Sequence, residues 1–237
     1  MTEVWQLWTY LSEGPLVWLT LTLAVYLAAD WLSQLAGRAP LANPVLLAVI
    51  MLAVTLWVTA TPYETYFEGA QFVHFLLGPA TVALAVPLHA NLGRVRKALL
   101  PMLAALLAGS VTAIAVALGI GHALGLELEP LLSLAPKSAT APVAMGVSER
   151  IGGAPALTAV LVILTGVIGA IVATPLLNLL RIHDWRARGF ALGVAAHGIG
   201  TARAFQVNQT AGAFSGIGMG LNAILTAILA PLAAGLF

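Results

Sequence analysis

Three apolar stretches of this chain are interrupted by polar and helix-breaking residues whose types suit one chemistry, the holding of a small anion. The first reads Gly78-Pro79-Ala80-Thr81 and closes at Pro87. The second is Ala135-Pro136-Lys137-Ser138-Ala139-Thr140-Ala141-Pro142, and the third is His197-Gly198-Ile199-Gly200-Thr201-Ala202-Arg203. A helix that begins inside an apolar layer exposes its first N–H groups and the positive end of its dipole, and both favour negative charge. Thr81, Ser138, Thr140 and Thr201 add hydroxyl donors, and Gly198 and Gly200 leave backbone N–H groups accessible. Lys137 and Arg203 add full positive charge. Such a cation near the centre of a spanning helix costs about 2.5–3.5 kcal/mol on insertion scales, so two of them imply a compensating anion or a wet cavity. His197 is a candidate for proton coupling, because an ordinary imidazole titrates near physiological pH.

Each of these residues also has a plainer reading. Lys137 would snorkel to the interface if its segment is shallow, and Arg203 would meet headgroups from a span end. His197 is equally a hydrogen-bonded core residue, and Gly198 and Gly200 equally permit close packing. Gly212, Gly216 and Gly220 recur every four residues and read as a helix-contact stripe. Asn222, deep in the last run, suits either an interhelical hydrogen bond or a ligand contact. Other chemistries fit poorly. There is no cysteine, and the five histidines are scattered without an i, i+4 pair, so no zinc or thiolate centre is expected. A membrane serine protease needs a Gly-x-Ser-Gly, and Ala213 stands where its first glycine belongs. A cation/proton antiporter needs a carboxylate in an interrupted segment, and none is present. No enzymatic activity and no cofactor are expected.

The elements that must position these groups follow from composition. Of 237 residues, 60% are hydrophobic and only 8% charged, with mean hydropathy +0.98. A soluble domain carries about a quarter charged residues, so this chain needs hydrocarbon as its solvent. The net charge of +1 excludes an electrostatic case for nucleic acid. Apolar runs fall at 16–32, 45–60, 71–92, 98–122, 131–148, 155–180, 189–207 and 211–236. The expected fold is therefore an all-α integral membrane bundle of about seven to eight hydrophobic segments, with broken or re-entrant helices and an inverted repeat. It forms a single transmembrane domain over 1–237, whose 1–70 region carries less specific spans than 71–237. The first run lacks a basic n-region before it and reads as a retained span. Trp5, Trp8, Trp31, Trp57, Tyr63, Tyr66 and Trp185 lie near run ends, as interfacial aromatics do.

Charge orients the chain. Six of the ten basic residues are Arg94, Arg96, Lys97, Arg181, Arg186 and Arg188, whereas 61–70 and 123–130 carry only acids. The positive-inside rule places the two basic loops in the cytoplasm. An odd number of crossings must then separate 123–130 from 181–188, yet two apolar runs lie between them. Either 131–148 enters and leaves on one side, or it crosses as a broken helix and the second basic loop is an exception. Pro136 and Pro142 favour the re-entrant form, since both cannot sit in one unbroken helix without freeing backbone groups.

The interrupted segments also carry a resemblance. Phe75-Leu-Leu-Gly-Pro-Ala-Thr-Val-Ala-Leu-Ala-Val-Pro87, Leu134-Ala-Pro-Lys-Ser-Ala-Thr-Ala-Pro-Val-Ala-Met145, Ala195-Ala-His-Gly-Ile-Gly-Thr-Ala-Arg-Ala204 and Gly212-Ala-Phe-Ser-Gly-Ile-Gly-Met-Gly-Leu-Asn222 resemble, in order, the signature segments of the LrgB/CidB family. The resemblance implies a multi-pass protein of the bacterial cytoplasmic membrane working with a small LrgA/CidA-like membrane protein. It implies two roles. One is an antiholin-like regulator of murein hydrolase export and lysis. The other, after a plastidial relative and links to pyruvate uptake, is a carrier of glycolate, glycerate, pyruvate or lactate. The polar breaks favour the carrier, with Lys137, Ser138, Thr140, His197, Gly198, Gly200, Thr201, Arg203, Thr81 and Asn222 as its substrate-binding set. A small carboxylate, membrane lipid and further copies of the chain are the other expected partners, and no metal is expected.

Overall fold

The computed structural model describes residues 14–76 and 98–237, together with 79, 93 and 96. Thr81 and nearly all of the first interrupted segment lie outside these residues, as do Trp5 and Trp8. Every regular element among the described residues is helical. The chain forms two compact units, one within 1–83 and the other within 84–237.

In the first unit, helix α1 (Pro15–Leu35) packs against α2 (Pro44–Val58) and α3 (Tyr63–Phe75). Asn43 starts α2 by accepting from the Val45 and Leu46 N–H groups (2.9 and 3.2 Å), and Pro44 in the first turn loses no hydrogen bond there. Val25, Ala29 and Ala48 form the seam between α1 and α2. Trp18 is fully buried and meets Tyr66 edge-on at 6.0 Å.

The second unit contains α4 (Leu99–Ala123), α5 (Leu128–Leu134), α6 (Ala141–Ile151), α7 (Pro155–Leu179), α8 (Trp185–Val207) and α9 (Gln209–Ala234). Four helices, α1, α4, α7 and α9, are long and apolar enough to cross a membrane. At about 1.5 Å per residue, α4, α7 and α9 exceed the ~30 Å hydrocarbon thickness. Leu164 and Ile224 lie mid-helix and are 51% and 64% exposed. Ser110, Ser148, Thr158, Ser215, Asn222 and Thr226 are instead buried. A polar interior under an apolar exterior is stable in lipid, where association rests on packing and interhelical hydrogen bonds.

Two segments reverse direction inside this unit. The apolar run 131–148 is two short helices joined by an unwound stretch, 135–140. Pro142 falls in the first turn of α6, where it is tolerated, so the break precedes it. Ser133 in α5 and Ser148 in α6 return to one level, where the Thr158 hydroxyl donates to the Ser133 carbonyl (3.1 Å) and meets the Ser148 hydroxyl (2.7 Å). Gly152 ends α6 in the left-handed region (φ 87°), and Ser133 Oγ accepts from the Ala154 N–H (2.8 Å).

In α8 the helix breaks at Ala196 and His197 (φ 40°, ψ −132°) and folds back on itself. A Cβ on Gly200 would lie 2.9 Å from the Leu192 carbonyl oxygen, eight residues earlier, and Ala204 packs with Leu192 and Ala196. Such a contact is impossible along a straight helix, whose eight residues span about 12 Å.

Both hairpins are braced by a through-helix. Asn222, midway along α9, donates to the Ser138 carbonyl (2.9 Å) and accepts from the Ser110 hydroxyl of α4 (2.6 Å). Val162 of α7 accepts from His197 Nε2 (2.9 Å).

The glycine stripe of α9 is not one packed face. Gly212 abuts Phe205, whereas a Cβ on Gly220 would meet nothing within 4 Å. The close seam is made instead by Gly189 and Gly193 of α8, where an added Cβ would strike the Ala211 and Ser215 carbonyl oxygens of α9.

Candidate functional site

Small side chains on α4 make room for a cavity of about 1080 Å³. Ala98, Pro101, Ala105, Gly109 and Ala113 line it at near four-residue spacing, and Thr165, Gly169 and Val172 of α7 face them. From Ala98 to Ala113 the α4 wall runs about 22 Å. At one end lie Ile182, Asp184, Arg186 and Ala187, beside the basic loop, and at the other lie Lys137 and Ser138 of the first hairpin tip. Phe190 and Val194 of α8 and Phe214 of α9 complete an apolar wall.

Lys137 is half-buried and donates to the Ser138 hydroxyl at 3.3 Å. Among the described residues no carboxylate forms an ion pair with it, whereas Arg38–Asp30 and Arg186–Asp184 do pair. The unwound stretch places Lys137 and Ser138 in the cavity lining, shortly before the start of α6. Thr140 occupies the N-cap of α6 without a capping side-chain bond, so the first-turn N–H groups there are not satisfied by that hydroxyl. An ammonium and a hydroxyl thus stand together in the cavity lining, a few residues before the start of α6.

At the mouth, Asp184 caps α8 by accepting from the Arg186 N–H (2.8 Å). Hydrogen bonds from the Arg186 side chain, with backbone N–H groups and Coulombic attraction, hold its carboxyl down at about 2. Because that value is depressed, the stabilisation is full above the usual carboxylate range and fades only as pH falls through about 2. The pair is about half exposed, so solvent screens most of this. Asp184→Ala should cost about 1 kcal/mol at pH 7, mainly as a lost cap, read as a lowered melting temperature.

The remaining sequence-derived residues fall into two groups. Asn222 stands directly behind the tip and fixes the Ser138 carbonyl. His197, Thr201, Gly198 and Gly200 gather at the second hairpin and do not line the cavity. There the Thr201 hydroxyl donates to the His197 carbonyl (2.8 Å) and meets Ser215 Oγ (2.9 Å). A carbonyl only accepts, so His197 Nε2 carries the proton towards Val162. Gly200 is packed on Leu192, and Gly198 faces Met219 with room to spare. Arg203 is buried beside Arg188 and Trp185 around a void of about 20 Å³, with Gln206 Oε1 at 3.5 Å, away from the cavity. Sequence reasoning missed Ser110, Ser133, Ser148 and Thr158, which lie singly in apolar runs and acquire meaning only as a network. It also missed the small-residue face of α4, whose spacing was available as a signal.

Residues 22–236 match the model of the LrgB-like family. The chain belongs to the LrgB-like family. This LrgB-like chain is 38% identical over 216 residues to YwbG of Bacillus subtilis (strain 168), covering 91% of the chain and 96% of the relative. It is 34% identical over 198 residues to the holin-like protein CidB of Staphylococcus epidermidis, covering 84% and 86%. To the holin-like protein CidB of Staphylococcus aureus it is 32% identical over 222 residues, covering 94% and 96%. No solved structure matches it. The family and the four apolar candidate spans together make the LrgB-like chain a multi-pass protein of the bacterial cell membrane.

Proposed function

We propose that this LrgB-like protein is a secondary transporter of small monocarboxylates of the glycolate, glycerate, pyruvate or lactate type. The observation that carries the reading is the cavity of about 1080 Å³ that ends on Lys137 and Ser138 at an unwound hairpin tip. A protein that only assembled into membrane lesions would have no use for a half-buried ammonium at the end of a shaft.

The two hairpins support an inverted repeat. Hairpin 128–151 leads into α7 and hairpin 185–207 leads into α9, and each through-helix bonds the tip of the other hairpin. With 181–188 in the cytoplasm, both hairpins are re-entrant from opposite faces, and the cavity opens inward. Transporters of this kind place substrate where half-helices meet near mid-membrane.

This orientation has a direct check, because the chain has no native cysteine. Single cysteines at Leu126 and Ala154 should react with an impermeant reagent from one face, and those at His183 and Gln209 from the other. Labelling of Leu126→Cys and Ala154→Cys from opposite faces would turn the first hairpin into a crossing.

The functional test is uptake of labelled pyruvate, lactate and glycolate into proteoliposomes, with and without a small LrgA/CidA-like protein. Saturable uptake is expected, and its absence for all three acids in both preparations would overturn the reading. His197 is proposed to brace the second tip. His197→Gln, which keeps a donor for Val162, should therefore retain uptake and its pH dependence. Loss of the pH dependence at unchanged melting temperature would return His197 to proton coupling.

The holin-like name of the CidB relatives favours a second reading, a partner-dependent regulator of murein hydrolase export and lysis. Pairing with a small LrgA/CidA-like membrane protein, and self-association, are proposed under either reading.

A further inference from the structure

The walls of the cavity speak to the rest of the substrate as well as to its carboxylate. Among the described residues, every lining side chain apart from Lys137, Ser138, Thr165, Asp184 and Arg186 is apolar or glycine. Asp184 and Arg186 satisfy each other at the mouth, which leaves one ammonium in the shaft among the described residues. A glycolate or pyruvate bound at Lys137 would leave most of the volume of about 1080 Å³ unfilled. Pockets commonly hold drug-sized ligands in about 300–1,000 Å³. Beyond the tip the shaft offers Ala105, Met102, Phe190 and Phe214, and among the described residues only the neutral Thr165 hydroxyl lies between the tip and the Asp184–Arg186 pair to meet a second charged group.

We propose that this cavity selects monovalent carboxylates bearing an apolar tail, and that Ala105 is a determinant of the tail length it takes. The inference rests on the transporter reading and deepens it. The carboxylate sits at Lys137, and the tail lies along α4 towards the mouth. Each methylene that leaves water for such a wall tightens binding about threefold to fourfold. A second carboxylate in the same place would be an unpaired buried charge and would be refused.

The test is inhibition of labelled lactate uptake in proteoliposomes by glycolate, 2-hydroxybutanoate, 2-hydroxyhexanoate and malate. Inhibition constants avoid the leak of the more apolar acids through lipid. The constants are expected to fall about threefold per methylene through 2-hydroxyhexanoate, with malate inert at a hundredfold excess. Ala105→Phe, which fills the shaft, should cut the preference for 2-hydroxyhexanoate over glycolate at least tenfold. The ratio reports on tail length even if overall uptake falls. Lactate uptake with a flat series, with competing malate, or with an unchanged ratio in Ala105→Phe would overturn the inference and leave the transporter standing. If Ala105→Phe fails to fold, Ala105→Leu is measured for the same ratio. Absence of lactate uptake in the parent protein overturns both.

Discussion

Lys137→Met should abolish monocarboxylate uptake, by about a hundredfold or more at subsaturating substrate, in a protein that still folds and inserts. The ammonium is half-buried at the cavity end, and its nearest polar partner is the Ser138 hydroxyl at 3.3 Å. Removing one member of a desolvated, hydrogen-bonded charge pair typically costs 2–5 kcal/mol of binding, which brackets that loss. The empty protein should respond in the opposite sense. Replacing a costly buried charge by an apolar chain of similar length should leave the melting temperature unchanged or raise it. Lys137→Arg should rescue little, because a planar fork does not reproduce a compact ammonium in a site closed by Ser138. Full uptake by a well-expressed Lys137→Met protein would remove Lys137 from the substrate site. A lysis regulator that binds no small ligand would show no uptake before the substitution and unchanged lysis control after it.

Gly193→Ala should be, with Gly189→Ala, among the most damaging single methyl additions in the second unit. A Cβ on Gly193 would strike the Ser215 carbonyl and come within 2.9 Å of the Met219 backbone nitrogen. Neither obstacle is a flexible side-chain end, so α8 and α9 must move apart. Overpacking of this kind costs about 1–3 kcal/mol and sometimes more, or roughly 3–10 °C in a chain of this size. Gly220→Ala on α9 is the matched control. Its Cβ would meet open space, and alanine in a helix is favoured over glycine by about 0.5–1 kcal/mol, so its melting temperature should hold or rise slightly. Equal destabilisation by both would mean that the α8–α9 seam is not where this unit is held together.

Gly193 and Gly220 also mark the boundary between what was legible in the chain and what was not. Sequence alone determined that the solvent is lipid, because 8% charged residues cannot cover a soluble surface. It located the four long apolar helices α1, α4, α7 and α9, because a hydrocarbon layer demands such lengths. It also located the break at 135–140, because Pro136, Lys137 and Ser138 cannot continue a buried helix without a partner. The family followed from the order of those same segments. Only the tertiary structure decided which polar residues share a site. It put Lys137 and Ser138 at the cavity and Asn222 behind them, and it placed His197, Thr201 and Arg203 in the second hairpin, outside the cavity lining. It also chose Gly189 and Gly193 over the regular stripe of α9 as the close contact. The physical reason is that a polar residue in an apolar run announces only that it needs a partner. Which partner it finds depends on where the chain reverses, and at Ala196–His197 that reversal is made by backbone angles, with no proline to announce it.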